Sequence, residues 1–229
     1  MRFAELAVSA TTAGAMAALI GGCATVNELK DKVMPASATA AASGASAPAA
    51  SRPVAVVNDT PLAPGVQRSF DDATRAQRAG KTADAERGYR ALIQSNPELG
   101  GPHANLGVML RQAGKLTESA AELEQAVKLN PNQPIYLNQL GITYRQLGRF
   151  DKARDAYDRA IAANGEYAAA SLNLGILNDL YLGDAKRAGE LYERYLALSP
   201  GGDAVVTKWV AELKNRKPAQ VAATRKEKS

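Results

Sequence analysis

Apolar and polar positions between residues 102 and 167 follow the same order twice, with a spacing of 34 residues. Leu106 and Gly107 recur as Leu140 and Gly141 at that spacing. Each period holds two stretches in which apolar residues return every three or four positions, and a glycine separates the two stretches. That spacing is typical of amphipathic helices, and a fixed period of about 20–50 residues is typical of stacked repeats. The pattern therefore predicts an all-α protein built from helix–turn–helix units.

The recurring residues also have a physical reason. Gly114 and Gly148 stand at the predicted turns, where a residue with φ > 0 can end the first helix. Gly107 and Gly141 are predicted to stand where the neighbouring helix leaves no room for a larger side chain. Together with a proline after the second helix, such as Pro131, this arrangement resembles the tetratricopeptide-repeat family. The resemblance implies an all-α superhelix.

The same register extends in both directions and predicts four repeats over residues 66–201, followed by one more helix. The fourth repeat is longer by one residue, because Gly175 to Gly183 is 8 residues whereas Gly141 to Gly148 is 7. The predicted units are residues 66–99, 100–133, 134–167 and 168–202.

A last helix is predicted over residues 203–216, with Asp203 as its N-cap. Its predicted apolar face would cover the end of the array, because stacked repeats need a terminal cap with a polar outer side. The tail, residues 217–229, is basic and is predicted to be disordered. The face comprises Val205, Val206, Trp209, Val210 and Leu213.

Residues 1–22 are predicted to be a signal peptide, with a positive start and an apolar, Ala-rich stretch. The end of this stretch, Ile20-Gly21-Gly22-Cys23, resembles the bacterial lipoprotein box. That resemblance implies a lipid on Cys23, the only cysteine of the chain. The alternatives are an ordinary signal peptide or a membrane anchor with an incidental cysteine. Residues 23–65 are rich in Ala, Ser and Pro and are predicted to be a disordered tether.

The residue after Cys23 is Ala24 and not Asp. By resemblance to the enterobacterial sorting rule, this places the expected destination at the periplasmic face of the outer membrane. The formal net charge of +5 could suggest a nucleic-acid partner. A secreted protein whose positive charge is concentrated in its tail is not expected to bind nucleic acid.

The sequence offers little for catalysis. His103 is the only histidine, so a triad, a metal site or an imidazole base would all depend on that residue. No phosphate-binding glycine loop occurs. We therefore expect no enzyme activity, no metal, no cofactor and no small-molecule substrate.

The family resemblance implies that the first helix of each repeat lines a concave groove that binds a segment of a protein partner. Carried over position by position, it implies an apolar floor, a series of amides and two arginines one repeat apart. The alternative is that some of these residues, first of all Val108, Ile142 and Ile176, pack helix against helix. The predicted groove residues are Phe70, Asn105, Val108, Arg111, Gln112, Asn138, Gln139, Ile142, Arg145, Gln146, Leu172, Asn173 and Ile176.

Two functions are compatible with a lipid-anchored repeat protein of the cell envelope. The combination of a lipoprotein signal and a tetratricopeptide domain resembles pilotin and biogenesis lipoproteins, which implies an interaction scaffold in pilus or secretion-system assembly. The alternative is a structural adaptor that tethers a periplasmic enzyme or an energy-transducing complex. The sequence does not separate these two functions.

Overall fold

The computed structural model describes residues 62–216. The predicted signal peptide, Cys23, most of the tether and the tail lie outside the described residues. Within residues 62–216 the regular structure is helical and contains no strand, as the repeat pattern predicted. No helix of this part of the chain combines the length and the apolar character that a membrane span requires.

Nine α-helices follow one another in this region. The first eight form four antiparallel pairs, and each pair joins a first and a second helix through a short turn. The helices are α1 (Pro64–Arg78), α2 (Thr82–Ser95), α3 (Gly100–Gln112), α4 (Leu116–Leu129), α5 (Pro134–Gln146), α6 (Phe150–Ala163), α7 (Ala168–Leu177), α8 (Ala185–Ala197) and α9 (Ala204–Asn215).

The turns inside the four pairs are made by glycines with positive φ. The φ angle is 77° at Gly114 and 73° at Gly148, which confirms the prediction for these two positions. A residue with a side chain is strained in this region of φ, whereas glycine is not. The conformation ends the first helix and reverses the chain, so that the second helix packs back against it.

The extra residue of the fourth repeat is absorbed in the helix itself. After α7 the chain continues as a π-helical turn, Asn178–Leu182, before Gly183 ends it. Inserting one residue into an α-helix commonly produces such a turn. The turn brings the Tyr181 ring to a centroid distance of 5.0 Å from the ring of Phe150 in the third repeat.

Two hydrophobic clusters fill the interior. The larger one joins residues of α3 to α8, so it runs through three helix pairs, and Leu140 lies in it with 4% exposure. The smaller one joins α1 and α2 to residues of α3, including Leu106 and Leu110. Each helix pair therefore buries its apolar side chains on its neighbours, as expected for stacked repeats.

Helix α9 packs on α8 at the end of the array. Asp203 is its N-cap, as predicted, and its Oδ1 accepts hydrogen bonds from the backbone N–H groups of Val205 and Val206 at 3.0 and 3.1 Å. The predicted apolar face was wrong in one residue. Val205 is 52% exposed, whereas Val206 and Val210 are buried and the Trp209 ring lies 5.5 Å from that of Tyr192. A helix buries positions three and four apart on one stripe, and Val205 falls beside that stripe.

Candidate functional site

The first helices α1, α3, α5 and α7 form one side of the array, which we call the concave face. Consecutive first helices, α3 with α5 and α5 with α7, contact each other more extensively than consecutive second helices do. The first helices are therefore on the inner side of the curve. The second helices α2, α4, α6 and α8 form the opposite side, which we call the convex face.

Most of the thirteen predicted groove residues are buried. Val108 is 1% exposed, Ile176 2% and Ile142 7%, and both Val108 and Ile142 lie in the larger hydrophobic cluster. Their burial favours the alternative in which they pack helix against helix. That any of the thirteen contacts a partner stays a prediction. Also buried are Phe70, Asn105, Asn138, Arg145, Leu172 and Asn173, whereas Arg111 and Gln139 are partly exposed and Gln112 and Gln146 are exposed.

The amides of the concave face bind the protein's own chain. Asn105 Nδ2 donates to the carbonyl oxygen of Gly101 at 3.2 Å. Asn173 Nδ2 donates to Asn138 Oδ1 and to the carbonyl oxygen of Ala169, both at 3.0 Å. The bond from Asn173 to Asn138 ties α7 to α5, so these two amides stabilise the stacking of the third repeat on the fourth.

Arg111 reaches from α3 to α5. Its Nη1 donates to the carbonyl oxygen of Gln139 at 3.1 Å, and its Nη2 donates to Gln139 Oε1 at 2.7 Å. Burial lowers the pKa of Arg111 to about 10, with a further lowering from Arg145 and an opposing effect from Tyr157. The guanidinium is still charged at neutral pH, because that value lies well above 7.

Arg145 is 7% exposed, and its Nη1 atom is buried without a hydrogen-bond partner among residues 62–216. Its guanidinium carbon lies 5.9 Å from the centroid of the Tyr181 ring, a cation–π distance. The Tyr157 hydroxyl is likewise buried and has no hydrogen-bond partner of standard geometry in the described part of the chain. Burial raises the pKa of Tyr157 to about 12, although Arg145 and Arg111 both lower it, so the hydroxyl keeps its proton at neutral pH.

Arg111 and Arg145 belong to a row of polar residues that occupy the same position in the four first helices. We call these residues, Gln77, Arg111, Arg145 and Asp179, the polar row. At its two ends the row has partners in the protein's own chain, although Gln77 Nε2 is buried without a hydrogen-bond partner among residues 62–216. The Tyr89 hydroxyl donates to Gln77 Oε1 at 2.7 Å, and Arg216 Nη1 donates to Asp179 Oδ1 at 2.9 Å.

Sequence reasoning found the two arginines but missed Tyr157, Tyr181 and Arg216. Tyr157 had a signal, because the second helices of repeats one, three and four carry Tyr89, Tyr157 and Tyr192 at the same place. Tyr181 had none, since its position over Arg145 depends on the π-helical turn.

The only histidine does not contribute to the concave face. His103 Nδ1 lies 2.7 Å from Glu122 Oε2, and this contact links α3 to the second helix of the same pair. A shallow cavity of about 820 Å³ opens between α6 and α8, where Arg154, Asp158 and Arg187 are among its lining residues. Neither feature adjoins Arg111 or Arg145.

The comparisons with known proteins agree with this geometry. The tetratricopeptide-repeat family is matched by two models, over residues 102–166 and 138–203. The chain therefore contains tetratricopeptide repeats, a class of structure that serves as a protein-interaction scaffold.

Solved structures of repeat proteins are similar as well. A crystal structure of MamA protein is 23% identical, with a TM-score of 0.59 over 71% of this chain and 85% of that one. A thermophilic TPR protein of Thermus thermophilus is 21% identical, with a TM-score of 0.56 over 66% and 82%. A tetratricopeptide repeat protein of Parabacteroides merdae is 20% identical, with a TM-score of 0.58 over 72% and 63%. At these identities the likeness shows the fold alone. The comparison with curated proteins gives no match.

Proposed function

We propose that this protein is a scaffold of the bacterial cell envelope that holds a segment of a partner protein along its concave face. The observation that carries the proposal is the polar row, in which two adjacent repeats place Arg111 and Arg145 on the inner side of a tetratricopeptide array. A strip built from repeats suits a long peptide with anchors at regular intervals. A small molecule would use a single enclosed pocket instead.

The envelope location is supported by the sequence. Residues 1–22 have the organisation of a secretion signal, and Cys23 follows Ile20 at the spacing of a lipoprotein box. A lipid on Cys23 would anchor the protein, with the periplasmic face of the outer membrane as the proposed location. Multiple acyl chains on one residue are enough for stable anchoring.

Within the envelope we propose a role in pilus or secretion-system assembly, with the structural adaptor as the alternative. A partner that is a secretin or pilin subunit would support the assembly role. A cell-wall enzyme or an inner-membrane motor protein would support the adaptor role. No catalytic activity is proposed for either.

Replacement of Cys23 tests the anchor. The Cys23→Ser variant should move from the membrane fraction to the soluble periplasmic fraction, because the thioether to the lipid cannot form. Mass spectrometry of the wild-type protein should find an acylated Cys23 at the mature N-terminus. An unmodified Cys23, or a chain that still begins at Met1 in the cytoplasm, would show that the lipoprotein hypothesis is wrong.

Partner capture tests the concave face. Arg111→Ala with Arg145→Ala should weaken capture from a solubilised envelope extract at least tenfold, while circular dichroism shows unchanged helical content. Truncating one partner of a buried charged contact costs roughly 2–5 kcal/mol, whereas an exposed pair costs about 1 kcal/mol or less.

The matched control removes two positive charges from the convex face. Arg87 and Arg90 on α2 are exposed and pair with Asp84 and Glu86 in the same helix. The Arg87→Ala, Arg90→Ala variant should capture the partner as well as the wild type does. Loss of capture in this control, with normal capture by the concave variant, would place the binding site elsewhere.

A further inference from the structure

The two central cations of the polar row lack the counter-ion that the fourth repeat has. Asp179 pairs with Arg216 at 2.9 Å, and the Asp179 side chain is only 10% exposed. No carboxylate oxygen of residues 62–216 lies within 4.0 Å of a guanidinium nitrogen of Arg111 or Arg145. Burying a charge without a counter-ion costs several kcal/mol. Arg111 is partly exposed and hydrogen-bonded to Gln139, whereas Arg145 is 7% exposed, so the charge that needs an explanation is that of Arg145.

The unused hydrogen-bond donors of this region are close together. Each terminal nitrogen of Arg111 donates one hydrogen bond to Gln139. The Nη1 of Arg145 and the hydroxyl of Tyr157 are both buried and make no hydrogen bond of standard geometry within residues 62–216, although the two side chains lie within reach of a hydrogen bond of poorer geometry to each other. Tyr157 lies near enough to Arg145 and Arg111 for both guanidinium groups to affect its hydroxyl. The surroundings of Arg145 and Tyr157 therefore combine hydrogen-bond donors with positive charge.

We propose that Arg145 and Tyr157, with the charge of Arg111 behind them, form a subsite for one carboxylate of the partner segment. This inference rests on the proposed function, because it names the chemistry that the concave face recognises. A carboxylate only accepts hydrogen bonds, and its two oxygens can take one donor each from Arg145 and Tyr157.

A single negative charge suits the site better than a phosphate. Two of the five N–H groups of Arg111 already donate to Gln139, and the Asp179 carboxylate, one repeat beyond Arg145 in the polar row, is negative. The Asp179 carboxylate would repel a doubly charged phosphate more strongly than a carboxylate. A carboxylate brings a single negative charge to the two arginines.

The Tyr181 ring already contacts the Arg145 guanidinium. It lies over Arg145 and packs against Phe150, and it is carried by the π-helical turn. A cation–π contact is worth about 0.5–2 kcal/mol, less than a charged hydrogen-bond pair in a desolvated site. A carboxylate entering beside the exposed Gln146 can therefore replace the ring as the partner of Arg145.

The test uses the full-length protein and short peptides, followed by nuclear magnetic resonance of the arginine and tyrosine side chains. The probe is a pentapeptide with one central glutamate among alanines, blocked at both ends, and its control carries glutamine instead. We expect the glutamate peptide to bind at least tenfold more tightly and to shift the Arg145 and Tyr157 signals. An all-alanine peptide with a free C-terminus distinguishes a terminal carboxylate from a side-chain carboxylate as the source.

Variants decide which residues carry the binding. Arg145→Met and Tyr157→Phe should each lower the affinity for the glutamate peptide, by at least tenfold for Arg145→Met, whereas Arg87→Ala with Arg90→Ala should not. Equal binding of the glutamate and glutamine peptides by the wild type would overturn the proposal. Tighter binding of inorganic phosphate than of either carboxylate peptide would overturn it as well.

A second measurement separates recognition from a purely structural role. Without ligand, the Arg145→Met variant should have a thermal midpoint equal to or higher than that of the wild type, because an unpaired buried charge has been removed. A midpoint lowered by several degrees with unchanged peptide binding would show that Arg145 only supports the fold. If Arg145→Met still captures the envelope partner and the peptides do not bind, the scaffold function stands and the carboxylate subsite is wrong.

Discussion

Gly141 is the eighth residue of α5 and lies where the two helices of the third pair come close together. A Cβ atom on Gly141 would lie 2.5 Å from Cε1 of Tyr157, which is closer than carbon atoms approach in proteins. Because glycine recurs at Gly107 and Gly141, the sequence predicted a close approach of the neighbouring helix here. It did not predict Tyr157 as the neighbour, because the distance depends on how the two helices cross.

The Gly141→Ala variant should lower the free energy of unfolding by about 1–3 kcal/mol, the usual cost of overpacking a well-filled core. Urea denaturation followed by circular dichroism measures this change. The matched control is Gly189→Ala in the middle of α8, where an added Cβ would meet nothing within 4 Å. It should raise the free energy of unfolding by about 0.4–1 kcal/mol, since alanine restricts the unfolded chain. A neutral Gly141→Ala would contradict the close approach.

At the scale of elements, the π-helical turn joins the fourth repeat to the capping helix. The turn carries Asp179, whose carboxylate accepts the bond from Arg216 just beyond the end of α9. The extra residue was visible in the sequence as a longer glycine spacing. The sequence did not show that this residue forms a π-helical turn, because a one-residue insertion can lie in a helix or in a loop. The packing against Phe150 and α8 favours the helical form.

The Asp179→Asn variant should loosen α9 without unfolding the array. Removing a hydrogen bond to a charged group costs about 1.5–3 kcal/mol, and Asp179 is largely buried. Hydrogen exchange should then show lost protection in α9 and unchanged protection in α3. The control Lys214→Ala removes the exposed pair between Lys214 and Glu193, which should cost about 1 kcal/mol or less. Equal effects of both variants would mean that the Asp179 contact does not hold the cap.

The helix pairs between residues 62 and 216 depend on one another. The larger hydrophobic cluster takes residues from three consecutive pairs, so a defect in one pair removes packing from the next. The order of helices followed from the 34-residue period alone. The burial of most predicted groove residues could not be predicted from that period, because a family pattern indicates which helix faces inward but not how deeply each side chain is buried.

The Leu140→Asp variant tests this interdependence. A carboxylate at a position that is 4% exposed should lower the free energy of unfolding by roughly 3–5 kcal/mol. Hydrogen exchange should show lost protection in the second and fourth repeats as well as in the third. The control Val205→Asp introduces the same carboxylate at a position that is 52% exposed and should change stability by about 0.5 kcal/mol or less. Loss confined to the third repeat would contradict stacking.

Photo-cross-linking in living cells tests whether the partner lies on the concave face. A photoreactive residue at Gln146, exposed on α5 beside Arg145, is compared with one at Gln125, exposed on α4 of the convex face. We predict a covalent adduct with one envelope protein from position 146 and none from position 125, and we predict that adding Arg145→Met abolishes the adduct. An adduct of equal yield from position 125, or no adduct from position 146, would contradict recognition of the partner by the concave face. An adduct from position 146 that survives the loss of Arg145 would contradict only the part assigned to Arg145.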